Sequence, residues 1–531
     1  MQSAEYYRTE GLDARAYESK FPTALWYSIG DSNKAKLGAG SSFNEQQRAS
    51  YMARLNYNLM DRYLLTVTGR WDGASMLAAG NKWDFFPSAA LAWKMNEENF
   101  MKNIGWLNSL KLRVGYGVTG NASINSYQTA GSMVSQWANK PFGQGGITTN
   151  TTGAKASVLP NRNLGWEKTA STNFGVDFGF LNNRITGSVE YYIANTSDLL
   201  LNRSIPLMTG YTQILTNVGK TQNKGLEITL STTNIQTEDF TWKTDFTFST
   251  NRSKIVELAD GKVDDPTNGW FIGKPMDEIW TYKYDRLWQD TPEDRRMLAI
   301  YKANGITMFP GMAKLVDQEF IEVPEGTEGS KTVTLEDGSK VTYMDNGFGK
   351  FDKDDYHFQG SFTPKWEGGF TTTFIYKNWQ LNAFFYGRFG NMYYGLMQTY
   401  GRRVENDTWS PENTDAKFPQ PRAGGESFTD YKEYMNYTKG NMVAVRNIAL
   451  SYTFPEKWLG KIGANSCQIY GQVLNPFIWG GDLVKAGINP DDTTGWGAEG
   501  GRSNGTYKYI GGQTNNTVLT RSFVIGLRLG F

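Results

Sequence analysis

A single histidine, His357, and a single cysteine, Cys467, set the ceiling on the chemistry open to this chain. With one cysteine no intrachain disulfide forms, and the common zinc patterns need several Cys or His at short spacing. Any Ser-His-Asp hydrolase would have to use His357 as its imidazole. No G-x-S-x-G elbow accompanies it, and it falls in a polar stretch that reads as a loop. No catalytic residue and no enzyme activity are therefore expected. Gly115-x-Gly117-x-x-Gly120 has the spelling of a dinucleotide-binding turn, but a loop-like stretch follows it and the acidic residue expected about 20 positions on is missing. These glycines read instead as relief of crowding on a strand and its loop entry, and no cofactor is expected. The run Asp345 to Asp355 offers Asp345, Asp352 and Asp355 as weak candidates for a calcium ion, which takes about six to eight oxygen ligands. The expectation there is a solvated acidic loop without metal.

The elements that would carry these residues follow from composition. The 531 residues include 29 Tyr, 30 Phe, 17 Trp and 58 Gly, which points to turn-rich, aromatic-rich β structure. Mean hydropathy is −0.51, and no apolar run approaches the roughly 18 to 20 residues of a membrane-spanning helix. A membrane barrel remains open, because each of its strands gives only every second side chain to lipid. With 54 basic and 53 acidic residues, the net charge of +1 lacks the basic field that nucleic-acid binding demands. The start, Met1 to Tyr7, has no charged or apolar signal region, so either a signal was removed or the chain is a fragment.

Segments of about ten residues alternate between apolar and polar side chains, the period of a strand with two unlike faces. Tyr51, Ala53, Leu55, Tyr57 and Leu59 alternate with Met52, Arg54, Asn56 and Asn58. The pattern resumes at Tyr63 after a turn at Asp61-Arg62. Leu110, Leu112, Val114, Tyr116 and Val118 interleave with Lys111, Arg113, Gly115 and Gly117, so the two cations mark a face that cannot meet lipid. Phe174 to Phe180 leads through Asn182-Asn183 into Ile185 to Ile193, and Phe370 to Tyr376 through Lys377-Asn378 into Trp379 to Phe389. Further strands are predicted at 226–232, 240–250, 446–454 and 467–473, for a total of roughly fifteen. Polar stretches at 121–165, 194–224, 251–278, 289–366, 390–440 and 476–516 read as long loops. Short turns alternating with long loops, aromatic-loaded strand ends and the terminal strand Ser522 to Phe531 all favour an outer-membrane barrel over a soluble sandwich or propeller.

Several motifs, in order, resemble the SusC/RagA family of TonB-linked transporters. They include Ala53-Arg54-Leu55-Asn56-Tyr57, Arg70-Trp71-Asp72-Gly73-Ala74-Ser75, Trp83 to Ser88, Leu110 to Asn121 and Leu164-Gly165-Trp166-Glu167-Lys168. Asn223-Lys224-Gly225-Leu226-Glu227, Trp409-Ser410-Pro411-Glu412-Asn413-Thr414, Arg446 to Tyr452 and Asn475-Pro476-Phe477 continue the series. The resemblance covers about residue 45 to Phe531. It implies an all-β transmembrane antiparallel barrel in the outer membrane of a Gram-negative bacterium. Because such barrels have roughly 22 strands, the expectation is a truncated C-terminal part, lacking signal, TonB box and plug, that shows an open edge and neither inserts nor transports alone. In the family's acidic loop a central ligand stands where this chain has Phe348.

The resemblance further implies active import of a bulky oligosaccharide or peptide, driven by the TonB complex, with a SusD-like surface lipoprotein as lid and outer-membrane lipid around the wall. A passive porin or structural surface barrel is the alternative. Trp270, Trp280, Trp366 and Trp409, in segments read as loops, could stack on sugar rings or pack the loops against the lid.

Overall fold

The computed structural model describes residues 1–16, 37–138, 151–211, 213–394, 407–420, 434–435, 437–459, 463–485, 490 and 520–531. A segment with two unlike faces satisfies its backbone by pairing edge to edge with similar segments. Fourteen strands do so in one antiparallel sheet. They are β1 (Gln2–Ala16), β2 (Leu37–Leu59), β3 (Tyr63–Ala74), β4 (Trp83–Lys94), β5 (Leu107–Asn121), β6 (Glu167–Phe180) and β7 (Ile185–Ser197). The series continues with β8 (Lys220–Gln236), β9 (Phe240–Glu257), β10 (Trp366–Tyr376), β11 (Trp379–Phe389), β12 (Met442–Thr453), β13 (Ser466–Gly480) and β14 (Ser522–Gly530). Spatial order follows chain order, and β1 and β14 do not pair with each other among the described residues. The sequence reading of roughly fifteen strands omitted β1, whose residues 2–16 lack clean alternation, and began β2 fourteen residues late, at Tyr51 instead of Leu37.

Register keeps the two faces separate across the wall. Tyr57, Leu65, Leu91, Val114, Phe174, Tyr191 and Leu226 are direct cross-strand partners in turn, forming an apolar row over seven strands. Most of this face is exposed, with Leu55, Val114, Phe174 and Leu450 among its open side chains. An exposed apolar face of this extent is stable only against another apolar medium. Among the described residues no helix is long and apolar enough to cross a membrane. The strands make the crossing. On β10 the outward aromatics Trp366 and Tyr376 stand at opposite ends of eleven residues. That is about 33 Å along the strand. A tilt of roughly 40° projects it to about 25 Å, the height of the apolar band of such barrels.

Antiparallel neighbours send successive connections to alternate rims. One rim carries 60–62, 95–106, 181–184, 237–239, 377–378 and 454–465; the other carries 17–36, 75–82, 122–166, 198–219, 258–365, 390–441 and 481–521. The three tight turns expected at Asp61-Arg62, Asn182-Asn183 and Lys377-Asn378 thus share a rim. Asp61, Asn182, Asn183 and Lys377 adopt φ of 54°, 57°, 59° and 50°, the left-handed backbone of such turns. Much of the expected loops 390–440 and 476–516 lies outside the described residues, and 476–480 belongs to β13.

The expected loop 289–366 is instead a cored subdomain. Its helix α1 (Pro292–Ala303) starts at Thr291, whose side chain accepts a hydrogen bond from Asp294 N, and has Pro at its first position and Lys302 in its last turn. Leu298, Ile300 and Tyr301 pack with Trp288, Met308, Met312, Val333, Val341, Tyr343 and Phe348. Each of these large side chains contributes roughly 1.5 to 3 kcal/mol by burial.

Candidate functional site

The face opposite the apolar row is polar, and its charges are paired. Arg113 on β5 reaches across Gly175 on β6. Its Nε and Nη2 donate to the two carboxylate oxygens of Asp177 at 2.9 and 2.6 Å, and Nη2 also donates to Glu190 on β7 at 2.7 Å. Lys111 closes the group 2.7 Å from Asp177. Gly175 leaves the space this needs, because a Cβ there would lie 2.9 Å from the Arg113 guanidinium carbon. Farther round the wall, Tyr386 on β11 donates its hydroxyl to Glu367 on β10 at 2.6 Å, and the Arg446 guanidinium lies 5.4 Å from the Tyr386 ring centre. Arg446 sits at an irregularity in the pairing of β12 with β13, and its Nη1 donates to Asn475 Oδ1. The surface this creates offers hydroxyls, amides and balanced charge to whatever passes along it.

The four tryptophans separate. Trp270 borders a cleft of about 290 Å³ together with Asn202, Arg203, Asp260, Asp265 and Thr267. Arg203 and Asp260 are 2.7 Å apart there, so an aromatic edge and charged hydrogen-bonding groups converge. Trp280 lies on a short strand (Glu278–Tyr282) paired with Tyr356–Ser361, making edge contacts with Phe271 and Tyr356, each at 4.8 Å. Trp366 corrects the loop reading. It opens strand β10 on the apolar face and stacks on Phe389 at 4.3 Å, because it continues the parity of Phe370. Trp409 is 4% exposed, packed with Leu287, Ala313 and Met435, and donates its Nε1 to Gln289 Oε1. Its ring is a core component of the rim, which leaves it no open face for a ligand.

The acidic run closes on itself. Asp352 accepts from Asp354 N and from Lys350 Nζ, while the Asp355 carboxylate, 1% exposed, accepts from Asp352 N and Gln318 Nε2. Asp345 is exposed, and Phe348 points into the subdomain core. The run is thus folded against the subdomain and only partly solvated. Among the described residues no group of three or more acidic, His or Cys side chains is arranged to hold a metal. Sequence reasoning missed Asp317. Burial pushes its carboxyl above the ordinary value despite hydrogen bonds from the Tyr301 hydroxyl and Gly349 N. It missed Asp294 as well, where burial pushes upward but the two Arg286 hydrogen bonds and Gln289 N outweigh it and hold the carboxyl low. Thr291-Pro292-Glu293-Asp294, a helix-start signature, was the available signal for the latter.

His357 stands on a short strand, not in a loop, with Nδ1 2.8 Å from the Asp355 carbonyl oxygen. Gly115, Gly117 and Gly120 lie within β5, and no helix follows them. A Cβ at Gly120 would fall 2.2 Å from the Phe86 ring, so close packing accounts for that position.

Residues 2–296 match the family described as "TonB dependent receptor-like, beta-barrel". TonB-dependent receptor P26 of Formosa agariphila is 33% identical over 484 residues, covering 89% of this chain and 46% of that protein. TonB-dependent receptor SusC of Bacteroides thetaiotaomicron is 30% identical over 444 residues, 81% of this chain and 40% of that one. The chain therefore spans less than half the length of these curated relatives. In fold it resembles the solved RagAB peptide transporter, with a TM-score of 0.68, 21% identity, and coverage of 100% of this chain and 53% of that chain.

Proposed function

The chain belongs to the TonB-dependent receptor β-barrel family of the Gram-negative outer membrane, in its SusC/RagA branch, and from that premise we propose that it is the C-terminal wall of an importer for a bulky oligosaccharide or peptide. In this reading a plug fills the barrel, the TonB complex supplies energy, and a SusD-like lipoprotein covers the loop rim. The observation that carries it is the asymmetry of the rims. Every long connection, including a cored subdomain and the Trp270 cleft, stands on one rim above a polar wall with paired charges. A diffusion pore has no use for an elaborated, buried-core rim on one side only. The short-turn rim then faces the periplasm.

The test is uptake by cells carrying the complete receptor, with labelled oligosaccharide and labelled peptide offered separately. Loss of uptake on deleting either the receptor or its neighbouring lipoprotein is expected. Undiminished uptake without TonB would overturn active import. Trp270→Ala should weaken binding several-fold, since an aromatic contact contributes about 1 kcal/mol. Trp409→Ala should instead lower rim stability.

A further inference from the structure

On the outward, lipid-side face, three cations stand together where the apolar stretch of two neighbouring strands ends. On β8 the outward residues Leu230, Ile228 and Leu226 are followed toward the loop rim by Lys224. On β9 Phe246, Phe248 and Thr250 are followed by Arg252 and Lys254. Lys224 and Arg252 are direct cross-strand partners, and Lys254 is the next outward residue, opposite Gln222. Parity is unbroken between these cations and the apolar residues below them, since the irregularities of this ladder lie outside 221–233.

Like charges directly opposite on a sheet destabilise it, and proteins ordinarily place an acid nearby. None is paired with these three among the described residues. The neighbouring ion pair, Lys220 with Glu257, lies farther along the strands, and the hydrogen bonds of Arg252 go to the carbonyl oxygens of Asn251 and Lys365. Outward cross-strand side chains stand about 5 Å apart and successive outward residues about 7 Å apart. Two ammonium groups and a guanidinium thus bracket a space the size of a phosphate, which Arg and Lys bind through charge-assisted hydrogen bonds. The missing anion must come from the medium that touches this face. One step above the apolar stretch, that medium is the headgroup layer of the outer leaflet.

We propose that Lys224, Arg252 and Lys254 form a binding site for the phosphorylated headgroup of an outer-leaflet lipid. The apolar residues below the cations hold the acyl chains, and the cations hold the phosphate. Membrane embedding of the wall is the only premise, so the site stands whatever the cargo of the importer.

The experiment uses the complete receptor purified from outer membranes, with retained phosphorylated glycolipid measured by phosphate content and native mass spectrometry. The triple variant K224Q/R252Q/K254Q should retain at least several-fold less, while K224R/R252K/K254R should retain as much as the natural protein. In nanodiscs of dephosphorylated lipid A the variants and the natural protein should behave alike. Equal retention by the triple variant would overturn the proposal. Displacement of the lipid by millimolar inorganic phosphate would also overturn it, because the site would then be a simple anion site. Should the triple variant fail to assemble, K254Q alone, at the most exposed of the three positions, should lower retention about twofold, and unchanged retention counts against the site.

Discussion

Val114 and Gly115 are consecutive residues with opposite surroundings, and the difference decides what each tolerates. Val114 is the middle residue of β5, 40% exposed on the apolar face. Val114→Arg in the complete receptor should block assembly, since arginine near the bilayer midplane costs roughly 2 to 4 kcal/mol. Gly115 faces the polar side, where an added Cβ meets only Ala90 Cβ at 3.9 Å and the Ala89 carbonyl oxygen at 4.0 Å. Gly115→Ser should therefore assemble normally. Equal heat-modifiable mobility of the two variants would show the faces to be reversed. Gly175 is the contrasting glycine. Gly175→Ala displaces the Arg113 guanidinium from Asp177 and Glu190 and should cost about 1 kcal/mol, read as a lower midpoint of denaturation that Gly115→Ser does not share. The separation of the two faces at Val114 and Arg113 was legible from alternation alone. The need for glycine at 175 was not, because it arises from a guanidinium on the neighbouring strand.

Among elements, α1 is held to the rim by one buried carboxylate. Asp294 is 2% exposed and receives two hydrogen bonds from Arg286 and one from Gln289 N. Burial alone would raise its pKa, but these partners bring it below the ordinary value. A carboxyl depressed in the folded state adds stability above its unfolded pKa of about 3.9, and that stability is lost as pH falls through the folded value. Asp317 has the opposite sign: its raised pKa makes ionisation a cost that acid relieves. Asp294→Asn should therefore destabilise α1 by about 1 to 3 kcal/mol at neutral pH, with the deficit shrinking below the ordinary carboxylate range. Hydrogen exchange over Pro292–Ala303 measures this, and a deficit independent of pH would remove the charge from the explanation. The wall strands were readable because their period matches their two environments. The subdomain was not, because its polar surface masked the helix start at Thr291-Pro292 and its core assembles from residues between Trp288 and Phe348. Trp409 and Trp366 show the same limit, since ring identity does not say which medium a ring meets.

For the whole molecule, the division into two rims gives every exposed residue an address. A cysteine at Asn183 should stay unlabelled by an impermeant reagent on intact cells, whereas one at Glu325, exposed on the subdomain, should react; labelling at Asn183 would invert the topology. The same division shows how separable rim and wall are. Tyr282 and Tyr356 are direct partners in the short ribbon above the wall, so the chain leaves for residues 283–355 and returns to the same place. Excision of 283–355 with a short glycine turn in its place leaves the ladders of β9 and β10 intact, because their pairing at Phe240 to Ser249 does not involve the subdomain. It does uncover Trp409, which packs against Leu287 and Ala313 from within the excised segment. The complete receptor lacking 283–355 should assemble with normal heat-modifiable mobility yet lose most uptake, as its rim can no longer hold cargo or lid. Unchanged uptake would show that this subdomain takes no part in transport. Failure to assemble would show that rim and wall fold as one unit, against the independence that the paired entry and exit of the segment imply.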